Sequence, residues 1–219
     1  NWTPTPDGAE DHTVTVAAGV DLSCRFFPVG QENPTILFFY GNGETAADYD
    51  NIAPLYNQIG VNFFVADYRG YGRSDGSPAF RSMLSDAREV LAALRRILQS
   101  SGYTGPVFVM GRSMGRHAAF ELASYCQDHI QGLIIESGRP TLGQFTQELD
   151  EEQARTLQAA YEDKVRFIGM PVLVIHGEID TLAPVQEAVA MFQGFPSPNK
   201  RLLTILGAGH NDLLYRGID

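Results

Sequence analysis

Two pentapeptides of this 219-residue chain set a serine between glycines as G-x-S-x-G: Gly72-Arg73-Ser74-Asp75-Gly76 and Gly111-Arg112-Ser113-Met114-Gly115. A serine on a tight strand-to-helix turn presents its hydroxyl as a nucleophile, and this pattern is the sequence trace of such a turn. The pattern alone is weak, because 22 glycines in the chain make chance matches common. Context separates the two. The apolar run PVFVM leads into Ser113, and the helical stretch MGRHAAFELASYC leads out of it. A side chain at either flanking glycine would collide with the neighbouring strand or helix. Ser74 instead follows DYRGYG and precedes GSP, and Asp75 would set a carboxylate where an oxyanion must develop. Ser74 reads as a loop serine, and Ser113 is the candidate nucleophile.

A serine hydroxyl attacks a carbonyl only when a base takes its proton, and a third group must fix the base's tautomer. Of five histidines, His210 lies in Gly207-Ala208-Gly209-His210, directly after the last apolar run. In an open α/β sheet such a loop lies at the carboxyl edge, where chemistry gathers. His12 and His129 read as surface or packing residues, and His176 as structural. The candidate acid is Asp180, in HGEID after the run PVLVI, with Glu178 the near alternative and Glu136 the distant one. Negative charge on the attacked carbonyl needs backbone donors. One is the N–H of Met114. The other is assigned to Asn42, whose glycine neighbours let backbone approach a ligand closely; the alternative is a plain glycine turn.

These residues need a scaffold that gathers them. Residues 35–40, 61–66, 106–110, 130–135, 171–176 and 201–206 are short, nearly continuous apolar runs, the mark of parallel strands covered on both faces. Helical spacing fills 46–59, 83–99, 114–126 and 184–192 between them. The alternation gives a doubly wound sheet with helices on both faces. Residues 12–18 and 21–27 form an antiparallel N-terminal hairpin, for eight strands in all. Residues 1–11 read as a loose arm, and 137–169 as a small helical cap insertion within a single domain spanning 1–219.

Composition narrows the function. A net charge of −10 argues against nucleic acid, whose phosphates would be repelled. No stretch reaches the ~18 apolar residues of a membrane helix. Cys24 and Cys126 read as buried free thiols, and no ligand spacing implies a metal or cofactor. Asn1 in place of a methionine leaves room for an upstream targeting segment. Compartment stays open with the cytoplasm as default, and oligomeric state is not legible.

YGNGET, DYRGYGRSDGSP, GRSMG, LIIESG, VLVIHGEID and GAGHND together resemble the α/β-hydrolase superfamily across residues 12–215. The chain is most similar to a small, lid-poor subgroup that includes palmitoyl-protein thioesterases and bacterial relatives of unassigned substrate. The order serine, aspartate, histidine is the one that superfamily uses. The resemblance implies Ser113, Asp180 and His210 as catalytic residues, and Asn42 and Met114 as oxyanion donors. It implies an esterase or thioesterase acting on a small-molecule or acylated substrate through an acyl-enzyme. Acyl transfer or peptidase work on the same triad is the alternative, and a non-catalytic ligand-binding fold a further one. Tyr40 stands where the family usually has histidine, and Arg116 and His117 replace small or apolar residues after the elbow. A cation there opposes the helix dipole, so Arg116 is expected to pair with a carboxylate or meet an anionic substrate group. Phe145, Leu149 and Tyr161 of the insertion either line an acyl pocket or pack the cap.

Overall fold

The described residues form eight strands, two in the N-terminal hairpin and six on the apolar runs: β1 (Glu10–Ala17), β2 (Val20–Phe27), β3 (Thr35–Phe39), β4 (Asn62–Ala66), β5 (Val107–Arg112), β6 (Gly132–Glu136), β7 (Val172–Gly177) and β8 (Lys200–Ile205). They come from a computed structural model that describes residues 3–146 and 149–217. One sheet holds all eight in the order β1-β2-β4-β3-β5-β6-β7-β8. β2 pairs antiparallel with β1 and with β4, and every other pair is parallel. The chain is an α/β-hydrolase fold with an antiparallel N-terminal hairpin.

β3 and β4 are buried at every position, as strands covered on both faces require. Tyr40, Phe26, Phe38, Phe63, Phe64, Phe120 and Phe195 are the largest fully buried side chains of the core. The described residues form six α-helices: α1 (Ala53–Gln58), α2 (Phe80–Ser100), α3 (Arg116–Tyr125), α4 (Glu151–Arg166), α5 (Val185–Gly194) and α6 (Leu213–Arg216). Crossovers between parallel strands are right-handed, so their direction along the sheet selects the face. β3 to β4 runs one way through α1, and β4 to β5 runs back through α2. The two helices therefore cover opposite faces, and α3 and α5 share the face of α2.

The helix expected over 46–59 is broken. Ala46–Tyr49 forms a 3-10 turn, and α1 restarts at Ala53 with Pro54 in its first turn. Pro54 cannot continue a helix from the preceding turn, since it lacks the N–H and its ring meets the carbonyl four residues back. The arm before β1 is also less loose than its prolines imply. Thr3 donates to Asp50 at 2.9 Å, Arg25 bridges Asp11 and Asp50, and β1 begins at Glu10. Cys24 and Cys126 are both free; Cys24 is buried, but Cys126 is only half-buried.

Two features of this topology make the site. Strand order reverses around β3, which places the ends of β3 and β5 side by side at a switch point. In the register, Phe39 lies opposite Gly111, so the loop after β3 and the turn after β5 leave the sheet as neighbours.

Candidate active site

β5 runs into a 3-10 turn, Ser113–Gly115, and then into α3. Ser113 has φ of 50°, a left-handed conformation that non-glycine residues rarely adopt. The flanking glycines make the turn possible. A Cβ on Gly115 would lie 2.0 Å from the Phe39 carbonyl oxygen, and one on Gly111 would lie 2.7 Å from the Arg116 Cα. The other G-x-S-x-G serine has a different role: Ser74 Oγ accepts the Ser23 N–H at 2.9 Å and ties its loop to β2.

The Ser113 hydroxyl donates to His210 Nε2 at 2.9 Å, and His210 Nδ1–H donates to Asp180 Oδ2 at 2.7 Å. The Asp180 side chain is fully buried, and its Oδ1 accepts the N–H groups of Leu182 and Ala183 at 2.9 and 2.8 Å. Both carboxylate oxygens are thus committed, and the imidazole orientation follows from them. The two alternative acids are engaged elsewhere. Glu178 accepts the Gly207 N–H and braces the histidine loop, while Glu136 pairs with Arg112. His176 is buried and donates to the Ala183 carbonyl at 2.7 Å, holding the Asp180 loop from behind.

Sequence patterning did not reveal the brace beneath the elbow. Arg112 ion-pairs with Glu44 in the loop after β3 and with Glu136 at the end of β6. The same guanidinium donates to the His210 carbonyl and to Asn211 Oδ1. One buried cation therefore joins the loops after β3 and β8 to the end of β6, beneath Ser113. Burial pushes the Glu136 carboxyl up despite the pull of Arg112. Asp67, at the end of β4, accepts from the Tyr40 hydroxyl and the Ala46 N–H, each at 2.7 Å, and anchors the loop after β3.

Tyr40 is corrected as a substrate contact, and Arg116 in its expected partner, though Arg116 does border the cavity at Ser113. Tyr40 is fully buried, and its hydroxyl serves Asp67 instead of a ligand. Among the described residues Arg116 pairs with no carboxylate; it donates to the carbonyls of Ser113, Thr141 and Arg139 at 2.7, 2.6 and 3.0 Å. Those bonds pin the start of the insertion to the elbow, and burial lowers the Arg116 pKa. Of the insertion's large apolar side chains, Phe145 lines the site, Tyr161 is buried against Phe120 and His117, and Leu149 is exposed.

Two cavities flank the nucleophile. One of about 350 Å3 is walled mainly by Tyr68, Tyr71, Pro78, Phe80, Met83 and Phe145. The other, about 220 Å3, contains Ser113 and His210 together with Arg116, His117, Ser137, Arg139 and Leu182. Asn42, Met114 and Phe145 border both. Among the described residues, no group of three His, Cys, Asp or Glu side chains is placed to hold a metal ion. No described helix is long and apolar enough to cross a membrane.

Comparison with known proteins agrees with this architecture. A family model described as serine aminopeptidase, S33 matches residues 30–144, just over half the chain. The protein bem46 of Schizosaccharomyces pombe is 27% identical over 190 residues, covering 83% of this chain and 63% of its own length. The human alpha/beta hydrolase domain-containing protein 17B is 28% identical over 213 residues, covering 94% of this chain and 71% of its own. Among solved structures, Est1E from Butyrivibrio proteoclasticus with bound ferulic acid superposes with a TM-score of 0.74 at 20% identity, covering 93% of this chain and 94% of that one. The chain belongs to the α/β-hydrolase family that the serine aminopeptidase, S33 model describes, a family of hydrolases of the serine type.

Proposed function

We propose that this chain is a serine hydrolase that cleaves a carboxylic ester or thioester through an acyl-enzyme. The observation that carries the reading is the unbroken hydrogen-bond line Ser113–His210–Asp180, at 2.9 and 2.7 Å. His210 Nε2 takes the Ser113 proton as Oγ bonds to the carbonyl carbon, and Asp180 stabilises the imidazolium that forms. The oxyanion is received by the backbone N–H groups of Met114 and Asn42, which border the same cavity as Ser113. His210 then gives its proton to the departing alcohol or thiol as the carbon–heteroatom bond breaks. Water enters, loses a proton to His210, and releases the acid from Ser113.

The test is covalent labelling with a fluorophosphonate, followed by turnover of p-nitrophenyl esters of increasing chain length and of acyl-CoA thioesters. Labelling at Ser113 that vanishes in Ser113→Ala, with turnover of at least one substrate, is the expected result. An unlabelled wild-type protein would overturn the reading and leave a binding module on the same fold.

A further inference from the structure

The two cavities differ in chemistry, and the triad's geometry determines which part of a substrate enters each. His210 must protonate the leaving atom, so the leaving group lies on the His210 side of the scissile bond. His210 and Ser113 both line the smaller cavity, whereas the larger one reaches the oxyanion donors but not the imidazole. The acyl chain therefore points into the larger arm, whose walls are mostly aromatic and aliphatic. The leaving group occupies the smaller.

That smaller arm is polar in an unusual way. His117, on α3, is 1% exposed, and neither ring nitrogen has a hydrogen-bond partner among the described residues. A buried polar group without a partner is costly, and a ligand atom is one means of satisfying it. Arg139 borders the same arm, and its guanidinium makes no hydrogen bond or ion pair among the described residues. The charges that bear on His117 are all cationic, from Arg116, Arg139 and Lys164, and with burial they hold its imidazole neutral. Glu187, the carboxylate that acts on Arg116, is not part of the lining. In a chain of net charge −10, this arm is a local cationic site with a neutral hydrogen-bonding wall.

We infer that the arm formed by Arg139 and His117 is the leaving-group subsite, and that it selects esters or thioesters whose alcohol or thiol carries an anionic group, a carboxylate or a phosphate. The inference rests on the hydrolase reading above. Arg139 supplies the charge-assisted contact, and His117 supplies a neutral N–H or a lone pair beside it.

Three octanoyl esters with the same acyl chain test it: those of ethylene glycol, of glycolic acid through its hydroxyl, and of ethylene glycol phosphate. The readout is the ratio of kcat/KM for each anionic ester to that for the neutral one. Arg139→Gln should lower the ratio about ten- to hundredfold, mostly through KM, and Arg139→Lys should restore part of it. His117→Phe, which keeps the ring packing against Phe80 and Phe145, should lower it less. Whichever anionic ester leads identifies carboxylate or phosphate as the preferred group. A ratio unchanged by Arg139→Gln overturns the subsite, as does labelling of Ser113 without turnover of any of the three. Absence of labelling would instead defeat the hydrolase reading.

Discussion

Asp180 spends one carboxylate oxygen on two backbone N–H groups and the other on His210, and this division of labour makes its substitution informative. In Asp180→Asn the amide oxygen can still serve Leu182 and Ala183, which leaves an NH2 group facing His210 Nδ1. The imidazole must then carry its proton on Nε2, where it can no longer accept from Ser113. We expect kcat to fall about 10⁴-fold with little change in fold, measured on the best ester at pH 7. Retention of a tenth of the activity or more would mean that Asp180 does not set the tautomer. Tyr40 makes a contrasting case. Tyr40→Phe removes one of the donors that hold Asp67 and should cost about 1–2 kcal/mol in chemical unfolding. An unchanged midpoint would show that Asp67 does not depend on that hydroxyl. The sequence marked Ser113, Asp180 and His210 because each follows an apolar run and has glycine nearby. It did not mark Arg112, Glu44 or Asp67 as braces. Nothing in a run of residues tells an arginine or carboxylate that joins distant loops from one that faces solvent.

At the scale of elements, the site depends on close backbone approach and on one buried ion cluster. Gly115→Ala would push a Cβ against the Phe39 carbonyl, which belongs to the sheet and cannot yield as a flexible side chain would. The expected cost is about 1–3 kcal/mol in thermal unfolding, with loss of turnover because the elbow shifts. A variant of full stability and full activity would show that α3 can move away freely. Arg112→Met leaves Glu136 and Glu44 without their cation. Removing one member of a buried pair costs about 3–5 kcal/mol, so a loss near the lower figure is expected, because Glu44 retains some solvent. Adding Glu136→Gln to Arg112→Met should recover part of that loss. Equal stability of the single and double variants would argue that the buried carboxylate is not the source of the cost. The strands and most helices were legible because apolar period and turn residues are local signals. The break at 50–52 was partly legible through Pro54, but apolar spacing across 46–59 concealed it.

For the whole molecule, one acid-sensitive feature is a buried histidine outside the line Ser113–His210–Asp180. The imidazole of His117 is held well below its ordinary pKa, first by burial and then by Arg116, Arg139 and Lys164. The unfolded chain gains a proton there as pH falls through about 6.5, and the folded chain does not. Acid therefore favours the unfolded state, by up to about 1.4 kcal/mol per pH unit below that point. His117→Phe has no proton to gain. Its stability relative to the parent should rise by up to about 2 kcal/mol between pH 7 and pH 5, read from urea unfolding at each pH. Identical pH dependence in the two proteins would mean that His117 takes up its proton as readily in the folded chain as in the unfolded one.

Local residue chemistry by itself determined the α/β class, the order of the strands along the chain, the family likeness, and which serine could sit on a strand-to-helix turn. Each of those rests on neighbours within some fifteen residues, where period, glycine and proline act directly on backbone geometry. The tertiary structure alone decided what Arg116, Tyr40 and His117 do. Arg116 was expected to seek a carboxylate and instead found three carbonyls, while Tyr40 turned away from any ligand. The partner of a long polar side chain is whichever group the packed sheet and its loops bring within 3 Å. That distance is set by contacts nearly a hundred positions apart in the chain, as between Ser113 and His210.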